Sequence, residues 1–231
     1  MIPDTSLIGV MCHVSCVMLM SLKNKRVLIT AGPTWVPIDS VRVISNIATG
    51  QTGILLAEKL QSLGARVTLL LGGAELCCLD KKIRLIRFRF FDELRRVILK
   101  ELKEKKYDIV IHSAAVSDYR PLKSYNYKIK SGRKIWRLNL VPTPKIINLI
   151  KKVDKALFLV GFKFEPQSSR SALINKARIL IRDSKADLVV ANTSYNGRYN
   201  AYIVSQEGIK GAINSKAKLA EALIREIRLR K

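Results

Sequence analysis

Short apolar runs alternate with longer stretches of helical periodicity along most of this chain. Runs rich in Val, Ile and Leu predict buried strands at residues 27–31, 66–71, 108–112, 156–162 and 187–191. Apolar residues three and four positions apart predict helices at residues 52–63, 92–105, 171–184 and 216–229, and a shorter one at 144–151. This alternation predicts an α/β fold with a Rossmann-like, doubly wound, mostly parallel sheet.

Three segments break the alternation. Residues 82–88 alternate apolar with basic side chains, which predicts an edge or third strand. Residues 119–135 combine Pro, Gly, three Tyr and six basic residues, which predicts an irregular flap insertion. Residues 202–210 predict a C-terminal hairpin before the closing helix, and Asp92 is expected to cap the helix that follows it.

The pattern contains no internal repeat and no linker that would divide domains. We therefore expect one domain over residues 23–231, preceded by an extension at residues 1–22. The extension is apolar but lacks the basic start and cleavage site of a signal peptide, and its apolar part is too short to span a bilayer. We interpret it as disordered, or as the product of a start site assigned too early, and expect no membrane association.

The charge is strongly positive: 42 Lys and Arg against 18 Asp and Glu give a formal net charge of +24. This charge favours either nucleic-acid binding or anionic substrates in a basic proteome. Because the basic residues are scattered and no aromatic-interleaved basic motif occurs, we favour the second explanation.

Four cysteines, two of them adjacent, indicate no disulfide framework and therefore a reducing cytoplasm. The Cys12, His13 and Cys16 group lacks a second pair of ligands downstream, so we expect no metal site there.

Two small-residue clusters follow the first strand. Gly32 ends the strand, and Thr49, Gly50 and Gly53 begin the next helix. Unpaired backbone N–H groups at a helix start bind phosphate, and parallel sheets bind ligands beyond the carboxyl ends of their strands. The chain has neither GxxxxGK[ST] nor GxGxxG, which disfavours a P-loop NTPase and a plain dinucleotide fold.

Polar residues near these clusters are the candidates for chemistry. Asn46 could bind a carbonyl or phosphoryl oxygen, or serve as a turn residue. Asp118 could bind a base, a ribose or a metal ion, or cap a helix. Lys128 and Lys130 could close over a polyphosphate, or lie on a solvated hairpin face. His112 is interpreted as structural, and the chain contains no Ser-His-Asp or Cys-His set.

Taken in order, these segments resemble phosphopantothenate–cysteine ligase, the synthetase half of the bifunctional coenzyme A biosynthesis flavoprotein. The motifs that carry the resemblance are ITAGPT at 29–34, PIDSVRVISN at 37–46, TGxxG at 49–53, GARVTLL at 64–70, AAVSDYRP at 114–121, KIK at 128–130, VGF at 160–162 and DLVVAN at 187–192.

The resemblance implies a reaction in two steps. The carboxylate of 4′-phosphopantothenate attacks the α-phosphorus of a nucleoside triphosphate, CTP in preference to ATP, and pyrophosphate leaves. The amine of L-cysteine then displaces the nucleoside monophosphate and forms an amide. Mg²⁺ would bridge the phosphates. The flavin-binding half is absent, so a separate flavin-dependent decarboxylase would act on the product. A cytoplasmic homodimer is implied.

The resemblance also implies site residues. Asn46 would stabilise the acyl-nucleotidylate, and Lys128 would be the flap lysine that closes on the nucleotide. Ala114 and Ala115 would join Asn46 in binding substrate. The nucleotide would be bound by Gly32, Thr49, Gly50, Gly53, Asp118, Lys128, Thr143, Pro144, Lys145, Ile146, Phe162, Lys176 and Lys185.

This chain departs from the family pattern in three places. Residues 48–51 read ATGQ where the family often has SSGK, so a lysine is missing. Residues 143–146 read TPKI instead of NPDI, so Lys145 replaces an acid, and residues 163–166 read KFEP instead of AAET.

Two other functions compete with this interpretation. A nicotinamide-dependent oxidoreductase would need a glycine fingerprint and an acid after the second strand, for which Glu75 is a weak substitute. A non-catalytic nucleic-acid binder would show steeply salt-dependent binding that survives loss of Lys128.

Overall fold

The computed structural model describes residues 21–73, 79–132 and 134–230. The interpretations of Glu75, of the cysteines and of residues 1–20 of the extension lie outside these described residues. In chain order the elements are β1 (Arg26–Ala31), β2 (Trp35–Pro37), β3 (Val43–Ser45), α1 (Gln51–Ser62), β4 (Arg66–Gly72), β5 (Arg84–Phe88), α2 (Phe91–Glu104), β6 (Ile109–His112), β7 (Tyr119–Pro121), β8 (Leu140–Pro142), α3 (Ile147–Val153), β9 (Phe158–Phe164), α4 (Arg170–Ser184), β10 (Leu188–Tyr195), β11 (Arg198–Val204), β12 (Ile209–Ile213) and α5 (Lys216–Arg230).

Within the described ranges, eight strands form one sheet in the order β12-β11-β10-β9-β6-β1-β4-β5. The strands from β10 to β5 are parallel, and β11 and β12 join antiparallel at one edge. The chain runs from β1 to β4 and β5 on one side and then returns to β6 on the other side of β1. The strand order therefore reverses between β1 and β6, which is where doubly wound sheets bind ligands.

Both faces of the sheet are covered, and this explains the continuous apolar runs. Val27 and Ile29 of β1 pack with α1 and α5 on one face, and Leu28 packs with α2, α3 and α4 on the other. A strand buried on both faces has no polar alternation. The mostly parallel α/β architecture predicted from the sequence is confirmed.

The prediction that Asp92 caps α2 is wrong. Phe90 occupies the cap position and Asp92 lies in the first turn of the helix. The cap is supplied instead by the carboxylate of Glu93, which accepts hydrogen bonds from the backbone N–H groups of Arg89 and Phe90 at 2.8 and 3.1 Å. These bonds lower the pKa of Glu93.

Two hairpins were missed in the sequence. The β2–β3 hairpin occupies the insertion between the two glycine clusters. The β10–β11 hairpin turns at Asn196 and Gly197, which have φ of 46° and 73°. Asn-Gly with both φ positive is the sequence signal of a two-residue hairpin turn.

The flap predicted at residues 119–135 leaves from a short antiparallel ribbon of β7 and β8. Between these strands, residues 122–132 and 134–139 contain no helix or strand. In the described part of the chain, no helix is both long and apolar enough to cross a membrane.

Candidate active site at the carboxyl edge of the sheet

The two glycine clusters meet where β1 ends and α1 begins. Gly32 and Gly50 both have positive φ, 79° and 71°, and a Cβ on Gly50 would lie 3.1 Å from the backbone N of Gly32. A Cβ on Gly53 would lie 2.4 Å from the Cβ of Ala31. Because these side chains are missing, α1 starts directly against the strand end. Its cap residue Gly50 has no side chain to bond the first N–H groups, so they can face an anion.

Asn46 lies across the point where the strand order reverses. Its Nδ2 donates to the carbonyl oxygens of Ala115 and Val116, both at 3.1 Å. These two bonds use both amide hydrogens and fix the orientation of the side chain, which leaves Oδ1 as its remaining polar atom. Asn46 thus ties the loop after β3 to the loop after β6.

Buried hydroxyl groups fix the backbone beneath this contact. The Oγ1 of Thr34 accepts from the backbone N–H of Ser117 at 2.9 Å, and the Oγ of Ser117 donates to the carbonyl of Thr34 at 3.1 Å. Thr143 donates from Oγ1 to the carbonyl of Ser117 at 2.6 Å. Three loops are therefore held together by bonds shielded from water, which favours a preformed site.

His112 is structural, in agreement with the sequence interpretation. Its ring is buried, and Nδ1 lies 2.9 Å from the Oγ1 of Thr30. Burial lowers the pKa of His112 to about 4, so the ring is neutral at physiological pH.

Asp118 and Lys145 form an ion pair. The Nζ of Lys145 lies 2.5 Å from the Oδ1 of Asp118, and both side chains are more than half exposed. The backbone N–H of Thr143 donates to the carbonyl of Asp118 at 2.9 Å, which holds the two loops in register. The lysine that departs from the family pattern therefore pairs with the acid already at the site. Asp118 caps no helix in this structure.

The flap is fastened through Ile129, a buried residue between two exposed lysines. Ile129 is 5% exposed, whereas Lys128 and Lys130 on either side of it are exposed. The backbone N–H of Ile129 donates to the Oδ2 of Asp39 at 3.2 Å, and its carbonyl accepts from Arg42 at 3.3 Å. Asp39 and Arg42 also pair with each other at 2.6 Å.

The carboxylate of Asp39 is ionised at physiological pH. Burial would raise its pKa, but hydrogen bonds from the backbone N–H groups of Val41, Ile129 and Arg42 and from the Arg42 guanidinium lower it to about 2. A negative charge is therefore available to hold the flap at all physiological pH values.

A second cluster lies at the carboxyl end of β9. Phe162 is half-buried and packs against the core, and Glu165 just beyond it binds Lys163 at 2.9 Å and Lys176 at 2.6 Å. The hydrogen bond from Lys176 is the main cause that lowers the pKa of Glu165. Lys176 is therefore at the same edge of the sheet as the glycine clusters.

Lys185 is not brought to this site, contrary to the sequence interpretation. It follows α4 with φ of 58°, beside the start of β10. Because α4 runs from the carboxyl end of β9 to the amino end of β10, Lys185 lies at the opposite edge of the sheet. Ile146 is 1% exposed, so its side chain belongs to the core and only its backbone can face a ligand.

Two residues at this edge were missed. Lys216, at the start of α5, donates to the Oε1 of Gln51 at 2.7 Å and so brings a cation to the helix start whose own lysine is missing. The Oδ1 of Asn192, just past the end of the apolar run in β10, is buried without a hydrogen-bond partner. Asn192 ends the DLVVAN motif, which was the available signal, but nothing in the sequence links Lys216 to Gln51.

The fold and this edge define a doubly wound α/β protein whose glycine-rich helix start lies where its strand order reverses. The family model described as the DNA/pantothenate metabolism flavoprotein C-terminal domain matches residues 22–229, and the chain belongs to this family.

Similar proteins agree with this assignment. The chain is 43% identical over 173 residues to the coenzyme A biosynthesis bifunctional protein CoaBC of Thermococcus kodakarensis, covering 75% of this chain and 42% of that protein. It is 35% identical over 195 residues to its counterpart in Borreliella burgdorferi, covering 82% and 48%. The chain thus spans less than half the length of these relatives. A solved structure, the DNA/pantothenate metabolism flavoprotein from Streptococcus pneumoniae, superimposes with a TM-score of 0.80 at 28% identity, covering 88% of this chain and 98% of that one.

Proposed function

We propose that this chain is a phosphopantothenate–cysteine ligase that joins 4′-phosphopantothenate to L-cysteine in coenzyme A biosynthesis. The observation that carries the proposal is the contact of Asn46 with Ala115 in the loop after β6, because the backbone N–H of Ala115 donates in turn to the carbonyl of Gly32 at 2.9 Å. This arrangement sets an amide next to an anion-binding helix start, as acyl-nucleotidylate chemistry requires.

The reaction needs positioning and charge neutralisation more than a nucleophilic side chain. A carboxylate oxygen of phosphopantothenate bonds to the α-phosphorus as the bond to pyrophosphate breaks. The amine nitrogen of cysteine then bonds to the acyl carbon, the nucleoside monophosphate leaves, and the amine loses a proton. Lys128 would neutralise charge on the departing pyrophosphate. Asn46 would exchange one of its two carbonyl contacts for a bond to the acyl phosphate.

The nucleotide would lie along the carboxyl edge. The start of α1 with Gly50 and Gly53, together with Lys216, would hold phosphates, and the Asp118–Lys145 pair would lie beside the sugar or base. The nucleotide site would extend along this edge to Phe162, Lys176 and the Oδ1 of Asn192, which has no hydrogen-bond partner among the described residues. CTP is favoured over ATP as the co-substrate.

Mg²⁺ would be held mainly by the phosphates. Within the described ranges, no group of three or more His, Cys, Asp or Glu residues could form a cage for a metal ion. Asp118 is the residue that could add a ligand, and the ion would neutralise phosphate charge.

A cytoplasmic homodimer belongs to the same proposal, because the nucleotide substrates are cytoplasmic and large apolar side chains are exposed near the site. Ile47 is 106% exposed, Leu122 66% and Ile135 71%. Burying these side chains against a second copy would remove apolar area from water. A separate flavin-dependent decarboxylase would take the product.

The test is pyrophosphate release by the purified chain with 4′-phosphopantothenate, L-cysteine and Mg²⁺, comparing CTP with ATP. The proposal expects release that requires phosphopantothenate and is faster with CTP. If neither nucleotide gives phosphopantothenate-dependent release, while NAD(P)H or RNA binds tightly, the ligase is refuted in favour of one of the two other functions.

The flap offers a matched pair of variants. Lys128→Ala should slow pyrophosphate release by about a hundredfold, because an interaction with transition-state charge is lost. Lys130→Ala removes the same charge from the other side of Ile129 and should change the rate far less. Equal effects of the two variants would remove Lys128 from the mechanism.

A further inference from the structure

A second concave site lies at the opposite, amino edge of the sheet, away from the residues assigned to the reaction. It has a volume of about 530 Å³ and is lined by the starts of β1, β4 and β5, the turn after α1 and the residues after α2. Its size falls in the ordinary range of small-molecule pockets, about 300–1,000 Å³. No residue named in the proposed reaction lines it.

The register of the strands concentrates positive charge in this pocket. Arg26 and Arg66 are direct neighbours on parallel strands, and Arg84 is the neighbour of Thr68, two residues along β4. The three arginines therefore belong to one face of the sheet, where like charges side by side repel. Lys82 and Lys105 also line the pocket, and no acidic residue is among its lining residues.

The carboxylate of Glu101, which does not itself line the pocket, neutralises part of this positive charge. Glu101 binds Arg84 through two contacts of 2.6 and 3.0 Å, and also binds Lys105 and the hydroxyl of Tyr107. Burial would raise the pKa of Glu101, but these hydrogen bonds lower it to about 2, so it is ionised. Arg84 and Lys105 thus share one compensating negative charge.

The other three cations have no carboxylate from the described ranges bonded to their charged groups; the carboxylates of Asp108 and Asp80 accept from the backbone N–H groups of Arg26 and Lys82, both at 2.8 Å. Among the described residues, Arg26, Arg66 and Lys82 form no ion pair. The guanidinium of Arg26 lies over the ring of Tyr107 at 5.5 Å, and Arg66 donates only to the neutral Oδ1 of Asn24. The ring holds Arg26 in place without neutralising it.

We propose that this pocket binds a small anion with clustered phosphates, at a site distinct from the proposed active site. Guanidinium groups bind phosphate oxygens through paired hydrogen bonds, and three cations without an ion-pair partner around one concavity suit more than one phosphate group. The small volume of the pocket favours a compact ligand over an extended nucleic-acid chain. This site also gives part of the excess positive charge a function.

The test is a residue-resolved NMR titration of the full chain with inorganic tripolyphosphate. The proposal expects saturable shifts of the backbone amide signals of residues 64–68 and 82–84, which line the pocket or, in the case of Ile83, lie between two lining residues, separately from any shifts at residues 50–53 of the proposed active site. The double variant Arg66→Gln with Lys82→Gln should weaken the pocket response by about tenfold or more. Both residues are exposed and neither binds Glu101, so the fold should survive.

The matched control is Arg178→Gln with Lys218→Gln, which removes the same charge from exposed positions on α4 and α5. It should leave the pocket response within about twofold of the wild type. No shift at residues 64–68 and 82–84, or equal weakening by both double variants, would overturn the proposal. A short single-stranded RNA that shifts the same signals at lower phosphate concentration than tripolyphosphate would overturn the assignment to a small ligand. These readouts stand whether or not the chain proves to be a ligase.

Discussion

Gly53 sets the distance between α1 and the sheet, and replacing it with alanine should disturb both stability and nucleotide binding. The added Cβ would lie 2.4 Å from the Cβ of Ala31 and 2.9 Å from the Oγ of Ser113, whereas ordinary contacts begin at 3.4 Å. Either the helix start moves by about an ångström, or the strain remains.

The two contributions to stability oppose each other. Overpacking costs about 1–3 kcal/mol, and alanine gains about 1 kcal/mol over glycine in a helix. We expect a net loss of up to about 2 kcal/mol in the free energy of unfolding, which corresponds to a Tm lower by up to about 8 °C for a chain of this size. A displacement of about 1 Å at the phosphate site could lower kcat/KM by about a hundredfold.

Denaturant unfolding and pyrophosphate-release kinetics measure the two effects. Gly208→Ala is the matched control, because a Cβ added at this position would have nothing within 4 Å and its φ is not in the positive region. The control should change the unfolding free energy by less than about 0.5 kcal/mol. A Gly53→Ala protein as stable and as active as the control would refute the reasoning that close packing places α1.

Three further predictions test the site. Asn46→Asp should impair amide formation more than Asn46→Ala, because a carboxylate would face two carbonyl oxygens; product formation compares them, and equal rates would count against the contact. The folded pKa of Asp39 is about 2, below its ordinary value of about 3.9, so its hold on the flap is complete above that value and is lost as pH falls toward 2. Hydrogen exchange of the Ile129 amide, corrected for its intrinsic pH dependence, should therefore speed up as the pH falls from about 3.9 toward 2. In Asp39→Asn the corrected exchange rate should not change over this pH range. Asp118→Lys should raise the nucleotide KM, and adding Lys145→Asp in the same chain should partly restore it. The unfolding free energy should change by less than about 1 kcal/mol, because the pair is exposed. No recovery of KM in the double variant would show that the pair itself is unimportant.

The buried strands could be predicted because the sheet is covered on both faces. Runs such as that of β1 carry an apolar residue at nearly every position, and their short length favours a buried strand over a buried helix. The β2–β3 hairpin was missed because its strands are three residues long and mostly outside the core. Strands this short give too little alternation to detect.

The sequence predicts many of the residues of the candidate site, but not which residues contact one another there. Small residues at strand ends and at a helix start indicated Gly32 and Gly50, because close backbone approach requires glycine. The partners of Asn46 lie 69 and 70 residues away in the chain, so only the fold brings them together. The same is true of Lys216, which reaches Gln51 across 165 residues.

The lysines at the site show most clearly what the fold adds to the sequence. Lys145 and Lys176 are each held within 2.6 Å of a carboxylate, which positions them but cancels part of their charge. Lys128 lies exposed on a segment without regular structure, and within the described ranges it forms no ion pair. A lysine free of any acid presents its full charge to a departing anion and can move with the flap. The sequence counts all three as equal positive charges, whereas the contacts separate two lysines that are paired with a carboxylate from one that is not. Under the proposed function, the paired lysines would orient a ligand and Lys128 would respond as the reaction proceeds.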